Sequence, residues 1–210
     1  MRARWRFSTA NADDMSEPAL TREQILEAAM EVLRRYGPAK ATVVDVARAL
    51  GVSHGSVYRH FPSKAALRDA VTERWLARMS APLVEIAAED GAAAERLARW
   101  VTALAGIKRQ KVRGDPELFA TYRALFGDIR AVVQAHVDQL AGQLTAIIED
   151  GMRRGEFAEG DPAEKARAVF DATSRFHNPA HAAEWDDPAI DRDLAGVLAL
   201  VLRGLARAEG

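Results

Sequence analysis

The sequence predicts an all-α protein of about nine helices, in which a three-helix N-terminal unit precedes a longer helical region. Apolar residues recur at intervals of three and four along most of the chain, and residues suited to cap helices precede these stretches. The alternation of apolar and polar residues that is typical of β-strands does not occur in the sequence. With 49% hydrophobic residues among 210, the chain is large enough to bury one elongated core or two small ones.

The first two predicted helices begin at threonine and end at glycine. Thr21 is suited to cap the first helix, whose apolar stripe runs on to Tyr36, and the Gly37-Pro38 pair is expected to end it. Thr42 is suited to cap a short second helix, which Gly51 closes.

The third and fourth predicted helices begin at serine. Ser53 caps a short third helix that ends at Phe61, because a residue before proline is disfavoured in helical conformation. Ser63 caps a fourth helix, which is predicted to run to about Met79, since Pro82 interrupts or kinks the chain.

The other five helices are predicted from apolar stripes in the remainder of the chain. They cover residues 97–104, 118–126, 129–148, 162–173 and 194–205. Asp161-Pro162 is a typical helix start, and Asn178-Pro179 breaks the chain after the fourth of these stripes.

Charge and composition restrict the class of protein. Residues 18–80 carry ten Lys or Arg against six Asp or Glu, whereas residues 81–210 carry sixteen against twenty-one, so we expect a basic domain followed by an acidic one. The chain has no cysteine, which fits a reducing cytoplasm, and no apolar run long enough to span a membrane. It also lacks a glycine-rich phosphate loop, a nucleophile elbow and a His-Glu-x-x-His helix, so we do not expect an enzyme.

The stretch GVSHGSVYRHFPSK, residues 51–64, concentrates polar and cationic side chains around few apolar positions. Two short helices joined by a glycine-containing turn form the helix-turn-helix unit, whose second helix enters the major groove of DNA. Phosphates are bound by the free backbone N–H groups at a helix N-terminus and by hydrogen-bond donors on long or rigid side chains. We assign phosphate contacts to Thr42, Ser53, Tyr58, His60 and Lys64. A second set is placed to approach base edges, namely His54, Gly55, Ser56 and Arg59. The alternative is a capped helical hairpin with an ordinary polar surface, or one that binds protein.

Thr42 and the following VVDVARALGVSHGSVYRHFPSKAAL resemble the amino-terminal domain of the tetracycline-repressor (TetR) family. The turn, the Gly-Ser pair, Tyr-x-His-Phe and Ser-Lys fall in the family's order and spacing over roughly residues 21–75. The resemblance implies a dimeric, all-helical, ligand-responsive transcriptional regulator, with the same phosphate and base contacts as above. It further implies a repressor that a small molecule releases from a palindromic operator on double-stranded DNA.

Residues 1–17 are expected to form a disordered tail in front of the DNA-binding domain at 18–80. Met15 is an alternative start of the chain. Arg2, Arg4 and Arg6 would instead suit a basic arm in the minor groove.

The acidic region at 81–210 is expected to bind the effector and to dimerise. Aromatic and polar residues on its inward stripes predict the lining of a small-molecule pocket, namely Trp100, Tyr122, Arg123, Phe126, His136, Phe170, Thr173 and His177. The same residues at helical spacing are also compatible with a solid core.

Histidines leave a further alternative open. His136 and His177 lie on inward stripes of different helices, and with His181 and Asp171 or Asp128 they are weak candidates for a divalent metal site. Pro179 disrupts the helical spacing between His177 and His181. The other interpretations are a polar contact for an organic effector and a hydrogen-bonded core histidine, and we expect no required cofactor.

The last predicted helix presents a wide apolar surface in which Gly196 and Gly204 permit close approach. We expect a homodimer through the C-terminal helices, because one short recognition helix reads few base pairs. The alternative is that this helix packs within its own chain.

Overall fold

The computed structural model describes residues 20–114, 116, 119 and 130–207, and this part of the chain is α-helical without a strand. Eight α-helices have described bounds: α1 Arg22–Lys40, α2 Val43–Ala49, α3 His54–His60, α4 Lys64–Ala88, α5 Ala93–Gly114, α6 Arg130–Arg153, α7 Pro162–Ala172 and α8 Ile190–Leu205. Two short 3-10 helices, Ser174–Phe176 and Pro179–Glu184, join α7 to α8. The predicted all-α class is confirmed. The tail at 1–17 and nearly all of the helix predicted at 118–126 lie outside the described residues.

The predicted threonine caps are present at the first two helices. The Thr21 hydroxyl accepts a hydrogen bond from the backbone N–H of Gln24 at 3.2 Å, and the Gln24 side chain accepts one from the backbone of Thr21. Thr42 forms the same reciprocal pair with Asp45. The end predicted at Gly37 is a break in helical conformation with φ 72°, after which one more turn runs to Lys40.

The predicted end of α4 near Met79 is wrong, because the helix continues through Pro82 to Ala88. Proline removes one backbone hydrogen bond and crowds the preceding turn, which costs roughly 3 kcal/mol in a helix interior. The residues after it offset this cost by packing, since Leu83 is fully buried and Ile86 packs against the same hydrophobic core. Burial of apolar side chains beyond the proline therefore decides where the helix ends.

Two hydrophobic cores follow one another along the chain. The first lies among α1–α4 around residues such as Ile25, Val57 and Leu76, and it includes Trp185 from the second half. The second lies among α4–α8 around Trp100 and fully buried positions of α6. The domain division predicted between residues 80 and 81 stays a prediction, and α4 runs through it and contributes to both cores.

Ion pairs and packing connect the helices that position the candidate sites. Arg74 of α4 binds Glu23 and Glu27 of α1, and the buried Arg96 of α5 binds Asp150 of α6. Helix α6 packs against both α4 and α7. None of the described helices is both long and apolar enough to span a membrane.

Candidate nucleic-acid interface and effector cavity

Helix α3 buries only Val57 among its seven residues, so most of the helix faces outward. The Ser53 hydroxyl caps it by accepting from the backbone N–H of Ser56 at 3.2 Å. None of the residues predicted to contact DNA is buried: Thr42, Ser53, His54, Gly55, Ser56, Tyr58, Arg59, His60 and Lys64. The structure thus leaves the whole set accessible, and their contact with DNA stays a prediction.

Side chains on the exposed face of α3 form hydrogen bonds and a ring contact with one another. The hydroxyls of Ser53 and Ser56 lie 3.0 Å apart, and Nη2 of Arg59 donates to the Ser56 hydroxyl at 3.0 Å. His54 and Tyr58 contact each other edge to face, with ring centroids 6.3 Å apart. These contacts orient the guanidinium and the phenol before any partner binds.

Gly51 and Gly55 lack a side chain for different reasons. Gly51 has φ 68°, a left-handed conformation that the turn before α3 requires. At Gly55 an added Cβ would meet only the Ser53 hydroxyl, at 3.7 Å, so packing within the protein does not exclude a side chain there. A bare backbone at an exposed position of α3 therefore fits close approach by an external partner.

Arg22 is a residue of this region that the sequence interpretation did not include. Its guanidinium lies over the ring of Phe61, 4.3 Å from the centroid, and Phe61 is buried at the end of α3. The pair fixes the C-terminal end of α3 to the start of α1.

A cavity of about 180 Å³ lies between α5, α6 and α7 in the second half of the chain. Three predicted pocket residues line it, namely His136, Phe170 and His177. Trp100 is instead a core residue, fully buried, whose indole N–H donates to Oε1 of Gln143 at 2.9 Å.

Thr173 is buried and does not line the cavity either. Its hydroxyl donates to the Val169 carbonyl at 2.8 Å and lies 3.3 Å from Nε2 of His177, so it positions that imidazole. The other predicted pocket residues, Tyr122, Arg123 and Phe126, lie outside the described residues.

Lys108 also lines this cavity, although the sequence interpretation passed over it. It is buried, and burial lowers the pKa of its ammonium to about 8. The signal in the sequence is its position, because Lys108 continues the apolar stripe of Leu97, Val101 and Leu104. A lysine on an inward stripe indicates a buried cation.

The two histidines of the cavity are neutral at physiological pH. Burial, and to a smaller extent the nearby charge of Lys108, lowers the pKa of His136 to about 4. The pKa of His177 is also lowered to about 4, for the same two reasons, although a hydrogen bond from its Nε2 to the Phe170 carbonyl acts in the opposite direction. The cavity therefore combines one ammonium with two uncharged imidazoles.

Family models match both halves of the chain. Residues 25–71 match the description "Bacterial regulatory proteins, tetR family", and residues 93–198 match "Tetracyclin repressor-like, C-terminal domain". The chain belongs to the TetR family. The resemblance of residues 21–75 and the predicted class of transcriptional regulator are thereby confirmed.

Individual relatives agree with this assignment. A helix-turn-helix-type transcriptional repressor of Mycobacterium tuberculosis is 36% identical over 174 residues, which cover 73% of this chain and 90% of that repressor. A fatty acid metabolism regulator of Bacillus subtilis is 26% identical over 154 residues, covering 71% of this chain and 77% of the regulator. The crystal structure of FadR from Bacillus subtilis in complex with stearoyl-CoA has the same fold, with a TM-score of 0.61, 19% identity, and 88% and 100% of the two chains covered.

The three candidate metal ligands of this TetR-family chain are not brought together. His136 and His177 line one cavity, whereas His181 lies apart from it, with Nδ1 2.8 Å from Oε1 of Glu184. Among the described residues there is no group of three or more His, Asp or Glu side chains arranged to hold a metal ion. Lys108 beside the two imidazoles also opposes a cation at that position.

Proposed function

We propose that this TetR-family regulator is a cytoplasmic, homodimeric, non-enzymatic repressor, which leaves a palindromic operator when a small molecule enters the cavity of its second half. The observation that carries the proposal is the outward face of α3, which buries only Val57 and is otherwise open to a partner. Recognition by a helix with accessible polar side chains is the geometry of helix-turn-helix binding in the major groove.

The proposed contacts divide by chemistry. Phosphate oxygens accept hydrogen bonds from Thr42, Ser53, Tyr58, His60 and Lys64 around the rim of the face. Base edges are approached by His54, Gly55, Ser56 and Arg59, with the Arg59 guanidinium directed to guanine.

A shared residue offers a route from the effector to the DNA face. His136 lines the cavity of about 180 Å³ and also a groove of about 330 Å³ between α4 and α6, beside Leu76 and Ala77. Helix α4 begins at Lys64, directly after α3. An effector that displaces His136 would change the seating of α6 on α4 and would favour a conformer with misplaced α3 and Lys64.

Dimerisation is proposed through the C-terminal helices. Helix α8 buries Ile190, Leu194 and Leu198 but leaves Leu200 64% exposed. An added Cβ at Gly196 or Gly204 would meet no atom within 4 Å, so another helix has room to approach there. Two copies related by a twofold axis would present two α3 helices to the half-sites of one operator.

Cavity size bears on the effector. FadR from Bacillus subtilis was crystallised with stearoyl-CoA, a long acyl thioester. The cavity of about 180 Å³ described here is smaller than the roughly 300 to 1,000 Å³ of most ligand pockets. We therefore propose a smaller effector for this chain.

Selection of bound fragments from the source genome tests the regulator hypothesis and supplies the operator. Binding of that duplex and of random DNA would then be measured by fluorescence anisotropy over a series of salt concentrations. We expect a steep loss of affinity with salt, because phosphate contacts release counterions. Failure to enrich any fragment, together with salt-independent affinity, would refute DNA binding.

Two variants separate the proposed roles on α3. Tyr58→Ala should weaken operator and random DNA alike, and Arg59→Ala should reduce the preference for operator by about 1 to 3 kcal/mol. Tyr36→Ala and Arg99→Ala are the controls, because Tyr36 lies on α1 and Arg99 on α5. The two tyrosine variants are matched in exposure, since Tyr36 is 44% exposed and Tyr58 is 42% exposed. Equal affinities of all four variants and the parent would show that the roles are wrongly assigned.

A further inference from the structure

A pocket of about 310 Å³ lies in the N-terminal half of the chain, between α1, α2 and α4, and is called the inter-helix pocket below. Its volume is larger than the cavity of about 180 Å³ in the second half. It also falls within the roughly 300 to 1,000 Å³ of most ligand pockets. Val46 and Val71 are each only 3% exposed, yet both border this space. The side chains of the chain itself therefore leave part of the first core unfilled.

Aliphatic side chains from all three helices form the walls of the inter-helix pocket. The buried ones include Ala29 and Val32 of α1, Val43 and Val46 of α2, and Leu67 and Val71 of α4. These side chains offer water no hydrogen bond, so a molecule with an apolar body is favoured over water beside them. An apolar cavity of about 150 Å³ accommodates the six carbon atoms of benzene. The inter-helix pocket is about twice that size, which suits an apolar chain of about eight to ten carbon atoms.

Ion pairs and a helix cap hold the walls of the inter-helix pocket in place. Arg74 of α4 binds Glu23 and Glu27 of α1, which connects two of the three helices. The reciprocal cap of Thr42 and Asp45 fixes the start of the third, α2. The pocket thus belongs to the folded arrangement of the domain. A ligand that enters a preformed site does not have to order its walls, which favours binding.

The mouth of the inter-helix pocket is cationic. Lys64, the first residue of α4, lines the pocket and is exposed, so the pocket reaches the surface at this side chain. Arg68 also lines it but already pairs with Asp69, and the Thr42 hydroxyl donates to Asp45 at 2.6 Å. Lys64 takes part in no ion pair within the described part of the chain, and none of the described lining residues is Asp or Glu. An anionic group at the mouth therefore meets the Lys64 ammonium.

This mouth coincides with part of the proposed DNA interface. Thr42 and Lys64 line the inter-helix pocket, and both are assigned above to phosphate oxygens. An anion at the Lys64 ammonium and a DNA phosphate would repel each other and would require the same donor. Occupation of the pocket and contact of Lys64 with the DNA backbone thus exclude each other.

We propose that the inter-helix pocket binds a medium-chain carboxylate of about eight to ten carbon atoms. Its chain lies between α1, α2 and α4, and its carboxylate accepts a hydrogen bond from the Lys64 ammonium. The site is separate from the cavity of the second half, and the bound carboxylate opposes DNA directly rather than through a movement of α4. Its effect on DNA rests on the proposed function, whereas the binding of the carboxylate does not.

Calorimetric titration of the full-length protein without DNA tests the ligand class. The probes are octanoate, butanoate and octanamide. We expect octanoate to bind at least about tenfold more tightly than butanoate, because each additional buried methylene increases affinity. Octanamide should bind about three- to fivefold more weakly than octanoate, since an exposed ion pair contributes little. Equal affinities within either comparison, or no heat with octanoate at millimolar concentration, would overturn the proposal.

Methyl resonances of the parent protein locate the ligand. Octanoate should shift those of Val46 and Val71, which line the inter-helix pocket. It should leave those of Val133 and Val137, which line the cavity of the second half, unchanged. Shifts confined to the second pair would place octanoate in that other cavity and would refute the site.

Two variants test the head group and the walls separately. Lys64→Met should abolish the preference for octanoate over octanamide, whereas Lys40→Met, an exposed lysine of α1 outside the lining, should retain it. Ala29→Leu places a larger side chain into the pocket and should weaken both probes by about tenfold. A persisting preference in Lys64→Met, or full affinity in a folded Ala29→Leu protein, would contradict the assignment. If Ala29→Leu does not fold, the methyl shifts of the parent decide the location.

Competition with DNA is measured by fluorescence anisotropy. Saturating octanoate should weaken operator and random DNA by a similar factor, because the contact that it blocks is to the backbone. It should also lower the slope of log affinity against log salt by about one for each protomer. Unchanged DNA affinity at saturation would refute the competition.

The two proposals fail in distinguishable ways. A protein that binds operator DNA but no octanoate retains the proposed function and refutes only the inter-helix site. A protein that binds octanoate beside Val46 but no DNA at low salt refutes the proposed function, while the carboxylate site stands.

Discussion

Mild acidification should destabilise this protein because two buried histidines are held neutral. The pKa of His136 and that of His177 are both lowered from 6.5 to about 4, mainly by burial and next by the charge of Lys108. In the unfolded chain each imidazole takes up a proton near pH 6.5, whereas in the folded protein it does so only near pH 4. The contribution of the two histidines to the free energy of unfolding is therefore constant above about pH 6.5 and falls as the pH decreases toward 4.

The size of the effect follows from the two pKa values. A difference between 6.5 and about 4 corresponds to about 3 kcal/mol for each histidine, at about 1.4 kcal/mol per tenfold change in proton affinity. The two contributions will not add fully, because both imidazoles face Lys108 in one cavity. Even one of them is a substantial fraction of the 5 to 15 kcal/mol that typically stabilises a domain.

Urea unfolding followed by circular dichroism at pH values from 7.5 to 4.5 measures this loss. His136→Gln and His177→Gln should each lose less stability over that interval than the parent, whereas His181→Gln, at an exposed position paired with Glu184, should follow the parent. Carboxylates with lowered pKa, such as Glu27 and Asp150, lose their contribution in every variant, so the difference isolates the imidazoles. Parallel curves for the parent and the double variant would refute the reasoning.

Other substitutions test the same structural arguments. Gly51→Ala should lower the free energy of unfolding by about 1 kcal/mol, because alanine is strained at a φ of 68°. Gly55→Ala should leave thermal unfolding nearly unchanged but weaken operator binding in fluorescence anisotropy. A stable Gly51→Ala variant, or a destabilised Gly55→Ala variant with full operator affinity, would contradict the roles assigned to the two glycines. Pro82→Ala should raise the melting temperature, because it restores a backbone N–H inside α4 and removes a steric clash. Together these cost a helix interior up to about 3 kcal/mol. An unchanged or lower melting temperature would show that the proline does not strain the helix.

Local chemistry made much of the N-terminal half predictable. The caps at Thr21, Thr42 and Ser53 were correct because each depends on a hydroxyl and a backbone group three residues away. The turn at Gly51 was correct for a similar reason, since its left-handed conformation is a property of one residue.

Predictions that depend on distant parts of the chain succeeded less often. The end of α4 was wrong because burial of Leu83 against other helices outweighs the local effect of Pro82. Trp100 was expected to line a pocket but lies in the core, since a helical stripe does not distinguish a packed wall from an empty one. The burial of Lys108 could be inferred from its place on the apolar stripe of α5, whereas the cavity beside it forms only where three helices meet.

The continuity of α4 has a consequence for how the protein unfolds. A helix of 25 residues, roughly 37 Å long, supplies side chains to both hydrophobic cores. Unfolding of either core would release α4 from its packing and so destabilise the other core, which makes the unfolding of the two halves thermodynamically coupled. Calorimetry should accordingly record one heat-absorption peak, with the operator-reading end and the sensing end denaturing together.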